Sequence, residues 1–185
     1  MLSGKKPVPA SARSAARGRA AIRIARTASN KRSVANPREG RTKTEGAIRG
    51  GAGGRYQYEL AAVKDTPAGT GYSTSHGGVV EGKRMLVGYI HKPRGTGSRM
   101  HTHKNEQFNY VVRGTLVGSV NGRKVVAPAG SLIYIPANAP HTLVAAADDE
   151  DVIFIAIKDL SHGIIGKAVD GTMTGPHYDP GFRPD

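Results

Sequence analysis

Between residues 56 and 160 the chain consists of short apolar-rich runs ended by Gly, Pro, Asn or Asp, and this texture narrows the fold more than any other feature. The runs cover residues 56–63, 77–81, 84–92, 107–112, 115–120, 123–127, 131–135, 141–146 and 152–158. They are short and carry Val, Ile, Tyr and Thr, side chains that fit a pleated surface better than a helix. Asn121-Gly122 stands between two of them, and both residues accept the positive φ of a two-residue hairpin turn. Gly82-Lys83 and the acidic cluster at 148–151 mark further turns. Strands recurring every eight to twelve residues or so, without an amphipathic helix, predict an all-β fold: an antiparallel sandwich or barrel.

Residues 1–55 have a different character. They hold 14 Lys or Arg against Glu39 and Glu45, a net +12, while residues 56–185 net only +1. The chain's +13 therefore belongs to a tail, and the folded part is nearly neutral. This tail has few large apolar residues and ends in Gly50-Gly51-Ala52-Gly53-Gly54, so a disordered, solvated basic tail is expected over 1–55. Two other readings stay open: contact with an anionic polymer such as nucleic acid, and an organelle presequence, since residues 1–38 lack acids and are rich in Arg, Ser and Ala. Neither helix-turn-helix nor zinc-finger spacing occurs there, so nucleic acid is not the favoured partner. The expected plan is a tail over 1–55, a β-domain over 56–160 and an irregular Gly- and Pro-rich extension over 161–185.

Several function classes fall away. The chain has no cysteine, hence no disulfide framework, thiolate metal site or cysteine nucleophile. The longest apolar run, 152–157, is far too short to span a membrane. No Ser-His-Asp order, phosphate loop or dinucleotide fingerprint is present. A soluble protein of the cytoplasm is expected, or of the mitochondrion if the tail is a presequence.

What chemistry remains concentrates in His101-Thr102-His103, Gln107 and His141. A His-x-His pair on a strand places both imidazoles on one face, where they can share an ion that a third strand closes. The residues alone also allow a metal-free pocket lined by histidines.

The string Gly95-x5-His101-x-His103-x3-Gln107-x6-Gly114 resembles the first motif of the cupin superfamily, and Gly130-x5-Pro136-x-Asn138-x2-His141 resembles the second. The resemblance covers about residues 70–160 and leaves the tail outside. It implies a jelly-roll β-barrel, a homodimer, and a metal at the barrel mouth held by His101, His103, residue 107 and His141. Two positions depart from the family pattern. Gln107 stands where the usual ligand is Glu, with Glu106 one residue earlier; alternation puts Gln107 on one face with Asn109 and Val111, and Glu106 on the other unless a bulge intervenes. Asn138 stands where Gly is frequent, and both tolerate positive φ.

Three neutral imidazoles and a neutral amide would leave the ion's double charge uncancelled, which favours an anionic, chelating substrate. Nitrogen and oxygen donors suit Fe, Ni, Mn, Cu or Zn as the one divalent transition metal ion. Arg99, on the same side as His101 and His103 in an extended chain, is a candidate clamp for a substrate carboxylate. Asn109 is a candidate to orient Gln107 or touch substrate, and Tyr134 a candidate substrate contact or proton donor against a plain core role. His91 reads as structural, and nothing ties His76, His162 or His177 to the site. The function expected is a metal-dependent cupin enzyme acting on a small anionic organic molecule, as a dioxygenase or as an isomerase, cyclase or lyase. The competing expectation is a non-catalytic metal- or metabolite-binding module with a regulatory or partner-docking role.

Overall fold

The computed structural model describes residues 42–172 and 177–178, all within one compact unit, Ala35–Asp185. Of the tail expected over 1–55, residues 1–41 lie outside the described residues. Among the described residues, fourteen strands follow in chain order: β1 (Ile48–Arg49), β2 (Asp65–Pro67), β3 (His76–Glu81), β4 (Met85–Lys92), β5 (Thr96–Gly97), β6 (His101–Thr102), β7 (Gln107–Arg113), β8 (Thr115–Val120), β9 (Arg123–Pro128), β10 (Leu132–Ile135), β11 (His141–Ala145), β12 (Val152–Asp159), β13 (Lys167–Ala168) and β14 (His177–Tyr178). Two sheets result. One runs β1-β3-β4-β12-β7-β10, with β2 beside β3; the other runs β13-β6-β11-β5-β14, with β8 and then β9 beside β11. All pairings are antiparallel except β1 with β3. This is the expected all-β jelly roll, in which sequence-distant strands lie side by side.

The core fills the space between the sheets because each long strand keeps period 2. On β4, Leu86, Gly88, Ile90 and Lys92 are buried, and on β12 so are Val152, Phe154, Ala156 and Lys158. Leu86, Ile90, Val111, Leu116, Ile135 and Val152 are essentially inaccessible, each contributing about 1.5–3 kcal/mol of transfer free energy. Asn121 and Gly122 have φ of 49° and 74° and close the β8–β9 hairpin as anticipated.

Three expectations change at the edges. Residues 56–63 form no strand: they run extended into a 3₁₀ turn at Leu60–Ala62, and Tyr56 is 88% exposed. Apolar character there was not enough, because no neighbouring strand offers a ladder. The folded region also begins before residue 56. Glu81 is 1% exposed, and its carboxylate accepts the backbone N–H groups of Lys43 (2.8 Å) and Thr44 (2.7 Å), while Ile48–Arg49 pairs with Val80–Glu81. A buried carboxylate needs such donors, so this stretch of the basic segment is held to the sheet. The extension beyond residue 160 is partly regular, with β13 on β6 and β14 on β5. No helix among the described residues is long and apolar enough to cross a membrane.

Candidate metal centre

Each histidine of the motif is placed by a strand end. His101 opens β6 and His141 opens β11, and the two are register partners, so their side chains emerge together. His103 comes directly after β6, one residue on from Thr102, and returns to the face of His101. Asn138, at φ 62°, turns the chain into β11 and donates its N–H to the carbonyl of His103 (2.8 Å), tying the two motif halves together. One ring nitrogen from each of His101, His103 and His141 lies within 4.8 Å of the others. Ring centroids are 4.0 Å apart for His101 and His141, and 4.7 Å for His103 and His141.

The hydrogen bonds decide which nitrogen each ring presents. Nδ1 of His101, His103 and His141 contacts the carbonyl oxygen of Arg99 (2.8 Å), Asn105 (2.8 Å) and Ala139 (2.9 Å) respectively. A carbonyl only accepts, so every Nδ1 carries the proton and every Nε2 keeps its lone pair. Nε2 of His103 is buried without a hydrogen-bond partner. An orphaned lone pair beside two other buried imidazoles is the donor set a divalent ion completes. Burial is the main cause that lowers the three rings, His101 to about 2, His103 to about 3 and His141 to about 4. They are therefore neutral donors at pH 7.

Gln107 opens β7 with its side chain inward, and Glu106 is exposed, so alternation holds and no bulge intervenes there. Gln107 Nε2 donates to Asn109 Oδ1 at 2.6 Å, which leaves Gln107 Oε1 as the amide's acceptor. Both side chains line a cavity of about 50 Å³ shared with His101, His141 and Tyr72. Tyr72 packs its ring 4.7 Å from that of His101, and its hydroxyl accepts the N–H of Gly166. Burial pushes that hydroxyl up to about 12.

Two candidate substrate residues lie elsewhere. Arg99 ion-pairs with Asp170 at 3.7 Å and does not line the cavity; its contribution to the site is the backbone carbonyl that holds His101. Tyr134 is 49% exposed on the outer face of β10, where its ring packs 5.1 Å from Phe108. Its neighbours Ile133 and Ile135 point inward, so period 2 sends Tyr134 out. His91, read as structural, and His76, which nothing tied to the site, are hydrogen-bonded to each other across β3 and β4.

Lys92 and Lys158 were missed. Both are 2% exposed and line the same cavity, whose lining among the described residues has no carboxylate. Burial lowers each to about 7. The signal was available in alternation: Lys92 shares a face with Ile90, and Lys158 with Phe154 and Ala156.

Residues 88–158 match the cupin domain family, which supports membership of the cupin superfamily. No curated protein matches it. Among solved structures, the polyketide cyclase RemF from Streptomyces resistomycificus aligns at 18% identity over 57% of this chain and 80% of its own, with a TM-score of 0.50. A cupin protein from Bacteroides fragilis aligns at 25% identity over 42% of this chain and 66% of its own, just under two thirds, with a TM-score of 0.39. A variant of Bacillus subtilis oxalate decarboxylase aligns at 22% identity over 41% of this chain and 21% of its own, with a TM-score of 0.37.

Proposed function

We propose that this chain is a metal-dependent cupin enzyme acting on a small anionic organic molecule, by oxygenation or by non-redox isomerase, cyclase or lyase chemistry. The observation that carries it is the set of three buried imidazoles, each with Nδ1 on a backbone carbonyl and Nε2 left to donate. His101, His103 and His141 hold the ion, and Gln107 supplies a fourth, neutral oxygen. When bound, a divalent ion supplies Lewis acidity and, with iron, a path to O₂. The chain's own residues do the rest: Asn109 fixes the amide of Gln107, Tyr72 and Ile135 help wall off water, and the acid-free lining attracts an anion. Among the described residues no cavity-lining carboxylate is placed to take a proton, which favours chemistry centred on the metal.

A homodimer is part of this reading. Tyr110, Val112, Leu132 and Tyr134 form an exposed apolar face on adjoining β7 and β10, of a kind that a second subunit covers. The test is metal analysis of protein purified without a polyhistidine tag, followed by O₂ uptake with diketones, catechols and enolisable acids. About one divalent ion per chain is expected. A chain that neither copurifies with nor takes up such an ion removes the proposal, and turnover without O₂ consumption selects its non-redox arm.

A further inference from the structure

Lys92 and Lys158 are left without a task by the metal reading. They enter the sandwich at opposite ends of the β4–β12 ladder, Lys92 opposite Val152 and Lys158 opposite Leu86. Lys92 Nζ donates to the carbonyl of Leu143 (2.9 Å), on the strand of His141; Lys158 Nζ donates to the carbonyl of Ile164 (2.9 Å). A lysine kept only for structure pairs with a buried acid or runs its ammonium out to water. Neither happens here. Both are 2% exposed, the cavity lining holds no carboxylate among the described residues, and the acid next in sequence to Lys158, Asp159, sits at the edge accepting the N–H groups of Glu106 and Ser161. Each ammonium has three N–H donors, and a single carbonyl accepts one of them.

A divalent ion on the histidines adds to the imbalance, because the imidazoles and the Gln107 amide are all neutral. Repulsion between the ion and two ammonium groups in a dry cavity is large, and an anion relieves it. Size limits that anion. About 50 Å³ has room for roughly four waters at ~10–15 Å³ each.

We propose that Lys92 and Lys158 are the counter-ions of a small dicarboxylate or oxo-carboxylate of two to four carbons, bound in this cavity beside the three-histidine cluster, and that anion and metal bind cooperatively. The cooperative half rests on the metal reading; the anion half does not.

Malonate titrated into metal-free and zinc-loaded protein, with neutral malonamide as the shape control, tests both by calorimetry. Malonate binds the metal-free protein and malonamide does not. Lys92→Met and Lys158→Met each weaken malonate at least ~5-fold, and the double variant loses it. In wild type, malonate tightens zinc roughly tenfold; in the double variant zinc binds more tightly without malonate and ignores its addition. Equal malonate affinity in wild type and double variant overturns the inference, as does wild type that fails to bind malonate. If zinc does not bind at all, the metal centre fails, and malonate on the metal-free protein still decides the lysines. If the methionine variants do not fold, wild type with malonate against malonamide decides it.

Discussion

Two histidine groups in this molecule sit on the same scaffold and are built for opposite purposes. His101, His103 and His141 are buried, meet no acid, and give their Nδ1 protons to backbone carbonyls. His76 and His91 are only partly buried and stand in a chain between two carboxylates. Asp65 Oδ2 meets His76 Nδ1 at 2.8 Å, His76 Nε2 meets His91 Nδ1 at 3.0 Å, and His91 Nε2 meets Asp151 Oδ2 at 3.1 Å. Three hydrogen bonds thus run from acid to acid through the two rings. The inner group expels charge and offers lone pairs. Residue type is shared; what differs is the partner of Nδ1 and the access of water.

The largest contrast is in pH. The inner rings are lowered by burial to about 2, 3 and 4, from the ordinary 6.5 that the unfolded chain keeps. As pH falls below 6.5, the unfolded chain takes up protons that the fold refuses, so stability is lost. Each ring costs about 1.4 kcal/mol per pH unit, about 4 kcal/mol per unit for three until the first folded value is reached. Lys92 and Lys158, lowered from 10.5 to about 7, act in the same direction between those two values. Urea denaturation of the metal-free protein should show stability falling from pH 10.5 to 7, then falling again below 6.5. A flat profile from pH 6.5 to 5 would mean that the inner rings are hydrated, and the contrast would be gone.

Metal content separates the groups next. His103→Ala should lower zinc affinity by about 100-fold, roughly 2.7 kcal/mol, whereas His76→Ala should leave it unchanged, as read by competition with a chromophoric chelator. Loss in both variants would show that the outer pair also serves the metal. Within the inner group, Gln107→Ala should weaken zinc by about tenfold, and exposed Glu106→Ala should not. The reverse order would reassign the fourth ligand. The smallest effect is expected outside. His91→Ala removes two hydrogen bonds of a partly exposed chain and should cost about 1 kcal/mol in denaturation, with zinc affinity untouched.

Much of the inner group was legible in sequence because its logic is local. His101 and His103 share a face by strand period, Gln107 and Asn109 do likewise, and Gly114, Gly130 and Asn138 mark turns that all have positive φ. Alternation would also have sent Tyr134 outward and Lys92 inward had it been applied to them. The outer chain was illegible for another reason. His76 meets His91 only because β3 and β4 align them in register, and Asp151 arrives from 60 residues beyond His91. The Thr44–Glu81 contact hid in the same way, inside a stretch whose composition read as tail.

The order of residues along the chain thus settled which side chains share a strand face, where the chain turns, and that the candidate donors are imidazole nitrogen and amide oxygen without thiolate. Packing of the two sheets decided the remainder: which face became dry, which lysines were shut in with the histidines, and which carbonyl took each Nδ1 proton. The physical reason is one of range. Side-chain direction follows from neighbouring φ and ψ, whereas solvation and partner choice depend on strands that meet only after the jelly roll closes.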